Sequence, residues 1–191
     1  MSVIFDNLQD ESVTEFLREN KIGVIPTDTI YGIVASALSP RVVEDIYTIK
    51  ERDRDKPLIV LVSSNEQMQK YFEVSCPDKV ARLWPAKLSV ILPVDKFPHL
   101  HRGGETIAFR IPARKDLREL IKSCGPIVAP SANKQGDKPA KTIEKARNYF
   151  EEEVDFYVND GELKSKPSTL VSVEKKITVL REGAVNLEEF Q

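Results

Sequence analysis

The 191-residue chain is poor in the side chains on which much enzyme chemistry rests. It has two histidines, His99 and His101, two cysteines, Cys76 and Cys124, one tryptophan and two methionines. Two histidines cannot build a three-histidine metal site, and histidine-driven acid–base chemistry has only this pair to draw on. The pair stands as His-x-His beside Arg102, but neither cysteine lies at ligand spacing and no Cys-x-x-Cys occurs, so it reads as part of a polar loop. No Walker sequence and no Gly-x-Gly-x-x-Gly is present, which excludes nucleotide binding by those two routes. Long hydrophobic runs are also missing. The longest purely aliphatic stretch is residues 58–62, against the ~18 residues that argue for a membrane span. The first twenty residues carry Asp6, Asp10, Glu11, Glu15 and Glu19, where a signal peptide needs a basic start and an apolar run. A cytoplasmic chain with reduced thiols and no membrane contact is therefore expected. Positive charge is not in excess either: 28 basic against 30 acidic residues give a net charge of −2, so any anion site must be a local cluster.

What is present suits a compact α/β protein. Hydrophobic residues make up 41% and charged residues 30%, enough to bury a core, and the length fits one domain over residues 1–191. Val13, Phe16 and Leu17 share a helical face after Asp10, and Asn20 and Gly23 stop that helix before an apolar strand at 22–25. Ser39 and Pro40 open a second helix to about Lys50, 58–62 reads as a strand covered on both faces, and Ser63 or Ser64 caps a helix through Phe72. Further strands are expected at 88–92, 106–111, 127–129, 156–158, 169–173 and 177–180, with a helix around Leu117, Leu120 and Ile121. The early alternation of elements favours parallel pairing, the close spacing of the last two strands favours a hairpin, and the sheet is mixed. Trp84 before Pro85 reads as a core anchor at a helix end.

Four groups of residues could carry chemistry. Lys50, Arg52, Arg54 and Lys56 alternate with Glu51, Asp53 and Asp55 at a helix exit, which reads either as a solvated helix end or as a polyphosphate clamp. Thr27, Asp28, Thr29, Tyr31 and Gly32 follow the first strand, and β-branched threonines in a turn point to hydroxyls presented to a small polar ligand. Ser131 and Asn133 emerge together after the strand at 127, at the head of a polar loop, 131–141, that reads as functional. Arg110 sits in an apolar strand pattern. By alternation it faces solvent; otherwise it points into a cleft to fork a carboxylate.

In chain order, the segments Pro26-Thr27-Asp28-Thr29-Ile30-Tyr31-Gly32, Lys50-x-Arg52, Lys56-Pro57-Leu58, Leu83-Trp84-Pro85, Phe109-Arg110-Ile111-Pro112, Pro130-Ser131-Ala132-Asn133, Pro167-Ser168-Thr169 and Arg181-Glu182-Gly183 resemble the YrdC-type L-threonylcarbamoyladenylate synthases. The resemblance spans most of the chain and implies the family's α/β fold, a twisted mixed parallel and antiparallel sheet with flanking helices around an open cavity. It implies a nucleotidyltransferase that condenses L-threonine, bicarbonate and ATP, with Mg²⁺, into threonylcarbamoyl-AMP and pyrophosphate. The product feeds tRNA threonylcarbamoyladenosine modification through downstream transfer proteins and tRNA. Carried over residue by residue, the resemblance places Lys50 and Arg52 on the ATP phosphates as the catalytic pair, and Arg110 and Thr27 on threonine. Ser131 and Asn133 would bind the nucleotide, Ser168 and Arg181 would close over the adenylate, and Thr29, Tyr31 and Lys56 are further candidates. No side chain is assigned to a metal. The chain is similar to the short, single-domain form, and it departs from the family pattern at Ala86 and Gln135. Two alternatives stand beside this reading. One is an RNA-binding module using Lys134, Lys138, Lys141, Lys145, Arg147, Lys164 and Lys166; the other is a carbamoyl-transfer paralogue without threonine-dependent turnover.

Overall fold

The computed structural model describes residues 2–173 and 176–187. In chain order the elements are β1 (Val3–Phe5), α1 (Glu11–Arg18), β2 (Gly23–Pro26), β3 (Tyr31–Ser36), α2 (Pro40–Ile49), β4 (Ile59–Leu61), α3 (Asn65–Phe72), α4 (Asp78–Ala81), β5 (Leu88–Pro93), α5 (Pro98–His101), β6 (Thr106–Arg110), α6 (Lys115–Cys124), β7 (Ile127–Val128), α7 (Ile143–Phe150), β8 (Phe156–Val158), β9 (Thr169–Val173) and β10 (Ile177–Arg181). Helix starts follow capping chemistry: Asp10, Ser64 and Thr142 accept from the amides of Ser12, Gln67 and Lys145. Ser39 makes no such bond, and Pro40, which lacks the N–H that would need a cap, opens α2 by its fixed φ.

The strands form one ten-stranded mixed sheet in the order β1-β8-β2-β3-β7-β4-β6-β5-β9-β10. The early alternation does not give parallel neighbours throughout. β2 turns directly into an antiparallel β3 and finds its parallel partner, β8, far along the chain. β4 likewise pairs parallel with β6 and antiparallel with β7. The expected hairpin of β9 and β10 is antiparallel, its connection at 174–175 lying outside the described residues. Alternation along the strands feeds two cores, one on each face. Val24, Ile33, Val60 and Val128 join the large core with α2 and α3, while Ile25, Val34, Leu61 and Ile127 join a smaller one under α1 and α6. Trp84 packs in the larger core and donates Nε1–H to Leu88 O at 2.8 Å.

Elements that the sequence pattern does not announce are β1, β3, α4, α5 and α7. Of these, α5 carries a correction. His99 and His101 lie in α5 and not in a polar loop: His101 is 9% exposed, with its ring Nδ1 accepting from Gly103 N, and His99 Nε2 lies 3.0 Å from Ala37 O. Gly23 does more than stop a helix. A Cβ there would sit 2.2 Å from the Phe156 ring, so glycine lets β2 and β8 close over that aromatic.

Candidate active site

A cavity of about 330 Å³ opens where the end of β2, the starts of β3, β4 and β9, and the ends of β6, β7 and β10 come together. β6 shows how alternation builds its wall. Ile107 and Phe109 enter the large core, while Ala108 and Arg110 line the cavity, as Leu170 does from β9 and Ile59 from β4. The alternation expected for Arg110 is correct, but its outward face meets this cavity and not solvent; the side chain is 4% exposed.

The turn at 27–30 is organised by one hydroxyl. Thr27 Oγ1 donates to Ile30 O at 2.7 Å and accepts from the amides of Thr29 at 3.1 Å and Ile30 at 3.3 Å, a full set for a hydroxyl. Among the described residues Thr29 Oγ1 hydrogen-bonds to Thr27 Oγ1 alone, at 3.0 Å, so of the two threonines lining the cavity it is Thr29 that retains capacity for a ligand. The Tyr31 ring also lines the cavity, but its hydroxyl is fixed, donating to Gly161 O and accepting from Asp160 N, both at 2.9 Å, and burial raises its pKa. Asp28 accepts from Ala113 N at 2.9 Å through Oδ2 and faces the Arg110 guanidinium with Oδ1, at 3.3 Å from Nη2. Arg110 donates no hydrogen bond among the described residues, and its buried Nε, like Asp28 Oδ1, has no hydrogen-bond partner. Burial lowers the Arg110 pKa, Asp28 opposes that shift and Arg181 adds to it.

The cation run divides. Arg52 reaches the cavity while Nε and Nη2 donate to the carbonyls of Lys56 and Pro57 at 3.2 and 3.3 Å. Lys50 does not line it. Only 2% exposed, it donates from Nζ to Ser131 O and Asn133 O at 2.5 and 2.6 Å, and burial, with repulsion from Arg52 and Lys134, pushes its pKa down to about 7. An ammonium placed on a phosphate would leave both carbonyls bare. Lys56 is exposed, paired with Asp53, and outside the cavity lining. Asn133 also lies behind the wall, donating to Lys134 O and Asp137 O, with Oδ1 unpartnered among the described residues. Ser131 does line the cavity, and its Oγ makes no hydrogen bond among the described residues.

On the opposite wall Arg181 donates to Ser168 O at 3.0 Å and Ser168 Oγ at 3.2 Å, and Ser168 Oγ lies 2.9 Å from Ser89 Oγ. Gly183 lets the strand exit lie on this segment: a Cβ there would sit 2.4 Å from Pro167 O. Both departures from the family pattern fall outside the lining. Ala86 N donates to Ile111 O, and Gln135 Oε1 accepts from Asp53 N at 3.0 Å, tying the 131–141 loop to the cation run. The basic rim is partly neutralised, since Lys134 pairs with Glu51 and Glu153, and Lys164 with Glu162. Sequence reasoning missed Asp28 as the partner of Arg110, although a carboxylate between two turn threonines was its visible trace.

Arg52, Arg110 and Arg181 are the charged residues of the lining, with Asp28 behind them, and like charges in one concave site repel unless something negative lies between them. Fold and site together define an α/β protein with an arginine-lined cavity. Residues 15–183 match the Sua5/YciO/YrdC family model, described as Telomere recombination, and the chain belongs to that family. A Methanocaldococcus jannaschii protein is 33% identical over 94% of this chain and 90% of its own length. The threonylcarbamoyl-AMP synthase of Pyrococcus abyssi is 33% identical over 92% of this chain, which spans 54% of that relative. The crystal structure of P. abyssi Sua5 complexed with L-threonine superposes with a TM-score of 0.89 at 29% identity, over 99% of this chain and 59% of that one.

Proposed function

We propose that this chain is a threonylcarbamoyl-AMP synthase, joining L-threonine, bicarbonate and ATP into threonylcarbamoyl-AMP and pyrophosphate with loss of water. The observation that carries the reading is Arg110, a buried guanidinium that donates no hydrogen bond among the described residues, facing the same cavity as Arg52 and Arg181. A planar fork of donors left open in this way matches a carboxylate. Arg110 takes the threonine carboxylate and Thr29 its hydroxyl, with Thr27 holding the turn that presents both. Arg52, Arg181, Ser131 and Ser168 receive the triphosphate. Lys50 and Asn133 act from behind, keeping the segment around Ser131 in place.

The chemistry suits a chain almost without histidine. The threonine amine and bicarbonate give a carbamate already ionised at neutral pH. Its oxygen attacks the α-phosphorus, and pyrophosphate leaves, so no strong side-chain base is needed. What the site must supply is positive charge, because two unit anions 4 Å apart repel by about 4 kcal/mol at an effective dielectric near 20. The lining donors are hydroxyls and guanidiniums, and among the described residues no three His, Cys, Asp or Glu side chains cluster as a metal cage. Magnesium accordingly enters as part of the nucleotide substrate. No helix among the described residues is long and apolar enough to cross a membrane. The proposed activity would place the protein with the tRNA-modifying proteins that consume its product, in the cytoplasm. Incubation with bicarbonate, ATP and Mg²⁺ is expected to release pyrophosphate only when threonine is added. Equal release without threonine would overturn the assignment.

A further inference from the structure

The carboxylate of Asp28 contributes to the cavity without lining it. Its side chain is 2% exposed and that of Arg110 is 4% exposed, so the two form a buried ion pair joining the turn after β2 to the end of β6. The contact is incomplete on both sides: Nη2 lies 3.3 Å from Oδ1, yet Asp28 Oδ1 and Arg110 Nε both lack hydrogen-bond partners among the described residues. Asp28 is itself anchored, because Oδ2 accepts from Ala113 N, three residues beyond Arg110. A carboxylate that pairs with a guanidinium through charge, while leaving its donors open, holds the group in direction without competing for them.

We infer that Asp28 is a positioning residue for the amino-acid substrate. It aims the Arg110 guanidinium into the cavity and balances its buried charge, so that the free donors can accept the substrate carboxylate. Three features support this. Arg181 acts on Arg110 with like charge, so without Asp28 the guanidinium would face net repulsion in a buried place. The Thr27 hydroxyl network holds the main chain on either side of Asp28, leaving the carboxylate little freedom to turn away. Asp28 is also absent from the wall that receives the phosphates, so its effect should be confined to the amino acid.

The inference rests on the proposed function, and steady-state kinetics on the full chain separates the two. Asp28→Asn keeps the acceptor for Ala113 N and removes the charge. It is expected to raise the threonine KM at least tenfold, with less than twofold change in the ATP KM and in kcat. Asp28→Glu should fall between wild type and Asp28→Asn. In an Arg110→Gln background, Asp28→Asn should change the threonine KM by less than twofold further, because the group it acts through is gone. Equal effects on both KM values, or a full tenfold effect persisting without Arg110, would overturn the inference. If Asp28→Asn does not fold, Asp28→Glu decides alone: a threefold or larger rise in threonine KM with unchanged ATP KM supports it, and an unchanged threonine KM sinks it. Wild type without threonine-dependent turnover would defeat both this inference and the function beneath it. Normal wild-type turnover with an unaffected Asp28→Asn would defeat this inference alone.

Discussion

The densest run of positive charge in the chain, residues 50–56, delivers less to the cavity than two arginines that stand alone. Of its four cations only Arg52 reaches the lining; Lys50 is buried on main-chain carbonyls, Arg54 pairs with Glu44 and Lys56 with Asp53. Arg110 and Arg181, each the last residue of an apolar strand, both face the cavity. The contrast lies in their partners. Within the run, Arg54 and Lys56 find acidic side chains and Arg52 finds the carbonyls of Lys56 and Pro57, so flexible cations are satisfied by nearby chain, while Lys50 is claimed by the carbonyls of Ser131 and Asn133. At a strand end, alternation fixes the direction of the side chain, and its partner must come from elsewhere in the fold or from a ligand.

That contrast can be broken by substitution. The largest effect is expected for Arg110→Ala: about a 100-fold loss in kcat/KM for threonine, or about 2.7 kcal/mol for a two-pronged charge-assisted contact, with a smaller effect on ATP. Equal losses for both substrates would remove it from the amino-acid site. Arg52→Ala should slow pyrophosphate release about tenfold, roughly 1.4 kcal/mol; unchanged turnover would take Arg52 out of the site. Lys50 tests the buried half of the comparison through pH. Unfolded, it titrates near its ordinary 10.5, and folded at about 7, so between those values the unfolded chain holds a proton that the folded chain has lost. Stability therefore rises with pH across that window, by up to about 1.4 kcal/mol per unit, and Lys50 adds no pH dependence below it. Thermal melts of wild type and Lys50→Met should diverge in wild type's favour from pH 7 upward, and a difference that ignores pH would contradict the buried assignment. Smallest of all, Arg54→Ala and Lys56→Ala, whose ion pairs are largely exposed, should each cost under about 0.5 kcal/mol and leave turnover unchanged.

Much of this molecule is legible in its sequence where local chemistry decides. Asp10 and Ser64 cap helices as their types suggest, and the continuous aliphatic run 58–62 feeds both cores from β4. The ordered motifs around Thr27, Arg110, Ser131, Ser168 and Arg181 do converge on one cavity. What stays hidden depends on distant chain. β3 pairs with the β2 just before it, but it opens on Tyr31 and Gly32 and so looks like the tail of a turn, and its other partner, β7, lies some ninety residues on. α7 has only Ile143, Ala146 and Phe150 to bury after a polar loop, too few to stand out. No local pattern tells that the carbonyls of Ser131 and Asn133 will claim the Lys50 ammonium, or that Asp28 will be buried against Arg110.

The most direct measurement is a structure of the chain with L-threonine and a non-hydrolysable ATP analogue bound together. The threonine carboxylate is expected within hydrogen-bonding distance of the Arg110 guanidinium, with the phosphates between Arg52 and Arg181 and the Lys50 ammonium still on the carbonyls of Ser131 and Asn133. Threonine bound away from Arg110, or either ligand outside the cavity, would contradict the account.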